Sequence, residues 1–131
     1  MTRKEIAVEN HKKGYNCAQS VLCAFSDKTD FSENQLFRIS EAFGGGMGIK
    51  SVCGAVSAML FLAGLENSKG VEAIPETNKA KSYAMSNKLI SAFVEKNKSY
   101  ICETIKSEKL RPCNGCIEDA VEILENILFA D

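Results

Sequence analysis

The sequence has no tryptophan, a single histidine, two prolines and no appreciable excess of charge of either sign. Each shortage excludes something. Sixteen basic residues against seventeen acidic ones leave a net charge of -1, which supplies no drive toward nucleic acid or an anionic membrane. The longest nearly apolar stretch, Ala55 to Leu65, is well short of the roughly 20 residues that a spanning helix needs, so no membrane insertion is expected. No apolar run follows the basic residues of Met1-Thr2-Arg3-Lys4, so no export leader is expected and the chain is assigned to the cytoplasm. The one histidine, His11, stands among polar residues and reads as a surface group, which leaves a Cys-His nucleophile pair little support. No segment alternates apolar and polar residues with period two, so strands are not expected either.

What the sequence has is sulfur: six cysteines, at positions 17, 23, 53, 102, 113 and 116. A chain of 131 residues is long enough to bury a core without disulfide staples. In a reducing compartment, clustered thiols then point to metal binding or redox work rather than to structural cross-links.

Helical periodicity organises the rest. Thr2 to about Lys13 reads as a short amphipathic helix closed by Gly14. Asn16 can cap the next, where Cys17, Val21, Ala24 and Phe25 share an inner face and Cys23 is offset from it. Ser32 with Gln35 forms a capping-box pattern, opening a helix through Leu36, Ile39 and Phe43 that a glycine run stops. Val56 to Leu65 is apolar nearly all round and predicts a buried central helix, with Glu66 to Ile74 as a loop. Pro75 suits the start of a helix ending near Lys98, with Tyr83, Ile90, Phe93 and Val94 as its inner stripe. Ser99 can cap a short turn carrying Ile101, Cys102 and Ile105, and a polar bend from Lys106 to Arg111 follows. The last helix has the clearest pattern, with Ile117, Ala120, Val121, Leu124, Ile127 and Leu128 on one face. The expectation is one all-α domain over residues 1–131, of five or six helices, with a glycine-rich loop before a buried central helix. The Lys/Glu-rich segments near 76–81 and 95–98 read as solvated faces, and Met47, Met59 and Met85 as core filler.

The run Gly44-Gly45-Gly46-Met47-Gly48 invites a phosphate-binding reading, but Ile49 stands before Lys50-Ser51 and no strand leads in, so neither a P-loop nor a Rossmann fingerprint fits. The better reading is a sharp bend that lets backbone pass close to a neighbouring helix or a site. Cys113-x-x-Cys116 lies beside a helix start, where the dipole favours a thiolate, although the βαβ setting of a thioredoxin is missing. Only one such pair is present, whereas zinc usually takes two, and the tight cysteine runs of ferredoxins are absent. Cys17, Cys53, Cys102 and Cys116, each on or near a helix start, could nevertheless converge and hold a metal or a small cluster. Cys23 reads as a small buried hydrophobe.

Three blocks together resemble a known family: Gly14-Tyr15-Asn16-Cys17-Ala18-Gln19; Phe43-Gly44-Gly45-Gly46-Met47-Gly48 followed by Cys53-Gly54-Ala55-Val56-Ser57-Ala58; and the late Cys102 with Cys113-x-x-Cys116. In combination they resemble the C_GCAxxG_C_C family of redox-active proteins, in order and over nearly the whole chain. The resemblance implies that Cys17, Cys53, Cys102 and one of the last pair are redox active, with Cys116 favoured and Cys113 open. The family pattern has glycine where this chain has Ala58, six positions before Gly64, and alanine is still small enough for close helix packing.

The leading expectation is therefore a redox protein that uses Cys17, Cys53, Cys102, Cys113 and Cys116 for thiol-disulfide exchange, or that ligates an iron-sulfur cluster for electron transfer through Cys17, Cys53, Cys102 and Cys116. Backbone of Gly44, Gly45, Gly46, Gly48 and Gly54 is the candidate for close approach to such a cofactor. A redox partner protein or a small thiol is the expected partner, nucleic acid is not, and a homodimer stays open. The alternative is a helical interaction module whose thiols hold zinc or nothing. A hydrolase or transferase with a cysteine nucleophile is the weakest, having only His11 as a base.

Overall fold

A computed structural model describes residues 1–75 and 79–130. Among these the elements are α1 (Arg3–Lys12), α2 (Cys17–Cys23), α3 (Glu33–Ser40), α4 (Gly54–Asn67), α5 (Lys79–Asn97), α6 (Cys102–Ser107) and α7 (Cys113–Ile123). The fold is all-α. Seven helices stand where five or six were expected, because the short turn carrying Cys102 is a helix of its own, α6. None of the described helices is long and apolar enough to cross a membrane.

Local chemistry sets the helix starts. Thr2 with Glu5, Asn16 with Gln19 and Ser32 with Gln35 each form a complete capping box, both reciprocal bonds present. These boxes satisfy N-H groups that the first turn of a helix otherwise leaves unpaired. Gly14, at φ 109°, follows the end of α1 and turns the chain toward α2.

The core lies between α2, α4 and α7, with α1, α3 and α5 packed around them. Every residue of α2 after Cys17 is buried, and α4 is buried from Gly54 through Met59. Phe25, Leu22, Met59, Leu62, Phe93, Ile117 and Leu124 have almost no exposed surface. Burying each stabilises the fold by roughly 1.5–3 kcal/mol before chain entropy is subtracted. The inner face expected for the last helix is the observed one: Ile117, Ala120, Val121 and Leu124 are fully buried. Beyond Ile123 the helix widens, so Ile127 and Leu128 lie at the edge of the core. Lys4 and Lys96 meet Glu122 at 3.0 Å each, tying α1 and α5 to α7.

Some expected details differ. Tyr83 is exposed, because no residue of α5 before Leu89 is buried; the inner stripe is Leu89, Phe93 and Asn97. Ile39 is only partly covered and α3 ends at Ser40, the chain continuing to Phe43 as a tighter turn. Met59 is core and Met85 packs against it, but Met47 projects outward from the glycine loop. α4 runs to Asn67 and takes the first two residues of the expected loop. Pro75 sits in a turn, and the helix start expected there, with part of the solvated 76–81 segment, lies outside the described residues.

Candidate functional site

Two features of backbone bring distant cysteines together. The first is the close crossing of α2 and α4: a Cβ on Gly54 would stand 3.0 Å from the Ala18 amide nitrogen and 3.2 Å from the Phe43 carbonyl. Only glycine lets the start of α4 lie against the start of α2, and this sets Cys53 and Cys17 at one place. The second is a short antiparallel pairing of Val52 with Ile101. In it the Cys53 N-H donates to the Tyr100 carbonyl (2.8 Å) and the Cys102 N-H to the Ser51 carbonyl (2.6 Å). The chain therefore delivers Cys53 and Cys102 side by side, at the starts of α4 and α6.

The glycine loop closes one side. Gly45, Gly46, Met47 and Gly48 all have φ between 62° and 75°, and the Ser51 N-H returns to the Gly46 carbonyl at 2.9 Å. At Gly46 both demands meet: φ is positive, and a Cβ would stand 2.7 Å from that of Cys102 and 2.6 Å from the Ser51 nitrogen. The expected close passage of backbone by a site is thus found at Gly46, with Gly45 and Gly54 also bordering the cavity. Gly44 and Gly48 do not border it. Gly44 is small because the side chain of Asn16, the cap of α2, occupies the space a Cβ would take, and Gly48 faces open solvent where the loop has swung outward.

The resulting cavity is lined by Cys17, Cys53, Cys102, Cys113 and Cys116, with Ile105, Lys106 and Arg111 at its side. Both members of the CxxC line it. No thiol is in a disulfide. Cys23 is elsewhere: it is buried and its thiol donates to the Glu33 carbonyl at 3.6 Å. Burial and the Glu33 charge push it up to about 11, which keeps it an inert thiol.

Electrostatically the thiols form two unequal pairs. The neighbouring Cys17 thiol above all lowers Cys113 to about 6, against the opposing effect of burial. The positive charges of Lys106 and His11 and the N-H at the start of α7 act in the same direction. Cys17 is held well above the ordinary thiol range by the same contact and by burial. Deeper in, the neighbouring Cys116 thiol above all lowers Cys53 to about 7, with help from the N-H groups of Ala55 and Val56 in the first turn of α4. Cys116 is correspondingly raised. The Cys116 thiol donates to Asn97 Oδ1 at 3.8 Å, on a side chain that is wholly buried and that donates to the Phe93 carbonyl. Cys102 is raised, chiefly by burial, and has no thiol partner of this kind.

Four thiolates around a cluster must converge and leave room for several iron and sulfide atoms. Among the described residues no three Cys, His, Asp or Glu side chains are placed so that they could hold a metal ion. The cavity between the sulfurs, about 30 Å³, has room for a water molecule or two. As folded, the thiols are matched two by two around that small space.

Cysteine placement accords with one comparison. A family model described as "Putative redox-active protein (C_GCAxxG_C_C)" matches residues 15–127. The chain belongs to the C_GCAxxG_C_C family. No curated protein and no solved structure matches it. Within this C_GCAxxG_C_C chain, sequence reasoning passed over four residues around the cysteines. Lys106 and Arg111 were a polar bend, yet both border the cavity; the signal available was two cations just ahead of a CxxC. Asn97 had no signal beyond standing four residues after Phe93 on the inner stripe. His11 is no free surface group: its Nδ1 lies 2.7 Å from Asn114 Oδ1, beside Cys113.

Proposed function

We propose that the protein performs thiol-disulfide exchange, with Cys113 as the attacking thiolate, Cys17 as its resolving partner, and Cys53 with Cys116 as a second, inner dithiol. One observation carries the reading: five thiols, none in a disulfide, line one small cavity, with Cys113 and Cys53 lowered and their neighbours Cys17 and Cys116 raised. That is the division of labour exchange requires, a thiolate to attack and a thiol that waits to resolve. Cys113 is the entry point because it is only partly buried and is the lowest of the set.

The chemistry balances without another reagent. The Cys113 thiolate attacks one sulfur of a disulfide, forming a mixed disulfide and releasing one thiolate. Cys17 loses its proton to solvent and attacks the Cys113 sulfur; the second thiolate leaves and the Cys17–Cys113 disulfide remains. Two electrons pass to the substrate. Cys116 lies one turn along α7 from Cys113, so the disulfide can move inward. Cys116 passes its proton to the Cys53 thiolate and attacks the Cys113 sulfur, releasing Cys17 as a thiolate that takes a proton from solvent; Cys53 then gives its proton to solvent and attacks the Cys116 sulfur, and the Cys113 thiolate leaves. Electron transfer through a bound cluster is the competing use of the same cysteines, and their two-by-two matching counts against it.

The test is a disulfide map. Reduced protein is treated with limiting, then excess, small disulfide, alkylated and digested. Cys17–Cys113 is expected first and Cys53–Cys116 second, with Cys23 and Cys102 still alkylated. Random pairs that include Cys23, or no intramolecular disulfide at all, would overturn the reading.

A further inference from the structure

Outside the thiol cavity, Cys113 also borders an open groove of about 480 Å³, formed with Ile105, Lys106, Lys109, Arg111 and Pro112. We propose that this groove seats the substrate, and that the substrate is a small disulfide carrying carboxylate groups, held through them by Lys106 and Lys109. The inference rests on the exchange reading above and names its substrate class.

Charge is the first argument. Three of the six lining residues are cationic and no acidic side chain among the described residues lines the groove, on a chain whose net charge is -1. The three cations are not equivalent. Arg111 is already committed, its Nε and Nη2 each donating to Asp119 at 3.1 Å. That fork is possible because residue 115, inside the CxxC, is glycine: a Cβ there would stand 2.6 Å from the Arg111 Nε. Lys106 and Lys109 are exposed and in no ion pair with a carboxylate among the described residues. They are therefore the charges left to meet a ligand.

Placement is the second argument. The Lys109 N-H returns to the Lys106 carbonyl at 3.2 Å and the Leu110 N-H to the Ile105 carbonyl at 2.9 Å, so the bend after α6 is pinned and both lysines border one groove. Ile105 and Pro112 supply an apolar floor beside Cys113, suited to the carbon-sulfur part of a ligand. The volume is that of a small-molecule site. A disulfide bound here lays its S–S bond on Cys113 and its carboxylates on the lysines. Attack by Cys113 and resolution by Cys17 then release two carboxylate-bearing thiols, the substrate being reduced by two electrons and the protein pair oxidised.

The experiment compares three probes on the reduced, full-length protein: dithiodipropionate, which is dianionic; hydroxyethyl disulfide, which is neutral; and cystamine, which is dicationic. The rate of Cys17–Cys113 formation is followed by mass spectrometry at low and high salt. The expected result is a preference for dithiodipropionate over cystamine of at least about tenfold at low salt, shrinking as salt screens the lysines. In Lys106→Gln/Lys109→Gln that ratio collapses toward one, whatever happens to absolute rates, and Lys106→Arg/Lys109→Arg restores it. A ratio near one in the unaltered protein, or one unchanged by the glutamine pair, overturns the proposal. If hydroxyethyl disulfide forms the Cys17–Cys113 bond but no anion preference appears, the substrate assignment alone fails. If none of the three oxidises that pair, the exchange reading fails with it.

Discussion

Replacing Cys17 by alanine isolates the interaction that makes Cys113 a nucleophile. The variant removes the neighbouring thiol that most lowers Cys113 and leaves Lys106, His11 and the start of α7 in place. A hydrogen bond to a charged group contributes about 1.5–3 kcal/mol, and each pKa unit corresponds to about 1.36 kcal/mol. Cys113 should therefore rise from about 6 by roughly one to two units. At pH 7 its thiolate fraction would fall from about 90% to between roughly 10% and 50%. A less acidic thiol is also a better nucleophile, with a slope of about 0.4–0.5 per unit, so that loss is largely or wholly offset in a rate measured at one pH. The midpoint is the proper readout. It is obtained from the pH profile of iodoacetamide labelling at Cys113, resolved by mass spectrometry, and checked by thiolate ultraviolet absorbance. Cys17→Ser keeps a donor and should keep the midpoint near that of the unaltered protein. A Cys17→Ala midpoint still at about 6, or an unaltered protein titrating near the free-cysteine value of about 8.5, would refute the argument.

Other outcomes follow from the same geometry. Lowered Cys53 and Cys113 contribute stability that is present above the ordinary thiol pKa and lost as pH falls through about 7 and about 6. Raised Cys17 and Cys116 contribute stability that is lost as pH climbs above the ordinary value. The Tm of the reduced protein should thus climb from about pH 6 to a maximum near 8.5 and fall beyond it, whereas a variant with all four replaced by serine should lack that peak. Gly46→Ala forces a side chain onto a left-handed φ against Ser51 and Cys102 and should cost at least about 2 kcal/mol in urea unfolding; a cost under about 0.5 kcal/mol would mean the loop is not packed there. Cys23→Ala should cost about 1 kcal/mol and leave the disulfide map unchanged, since Cys23 is remote from the cavity; a changed map would bring Cys23 into the chemistry.

Much of the fold was legible because it rests on local rules. The Ser32–Gln35 box, the Asn16 cap and the Ile117, Ala120, Val121, Leu124 stripe each depend on residues within a turn or two of one another. Tyr83 misled for the converse reason: helical spacing says which residues share a face, but not whether anything lies opposite that face. The site was legible in membership and illegible in pairing. Residue type and position marked Cys17, Cys53, Cys102 and the CxxC, yet nothing local to Cys113 says that its partner is Cys17, in a helix at the other end of the chain. That match comes from the packing of α7 against α2, while the close crossing at Gly54 and the Val52–Ile101 pairing bring Cys53 and Cys102 to the same cavity. Lys106 and Arg111 were hidden likewise, since a polar bend looks the same in sequence whether it faces solvent or a row of thiols. Arg111 is held over the first turn of α7 by Asp119, a contact made possible by the absence of a side chain at Gly115.

The claim that the cavity thiols work as two exchange pairs meets its most direct test in anaerobic purification. An absorption spectrum, iron, zinc and acid-labile sulfide analysis, and a thiol count before and after mild oxidation are taken from one sample. The account predicts a colourless protein without stoichiometric metal that loses four of its six thiols on oxidation, as Cys17–Cys113 and Cys53–Cys116. A brown protein with iron and sulfide in matching amounts, its cysteines protected from oxidation until the metal is stripped, would contradict it.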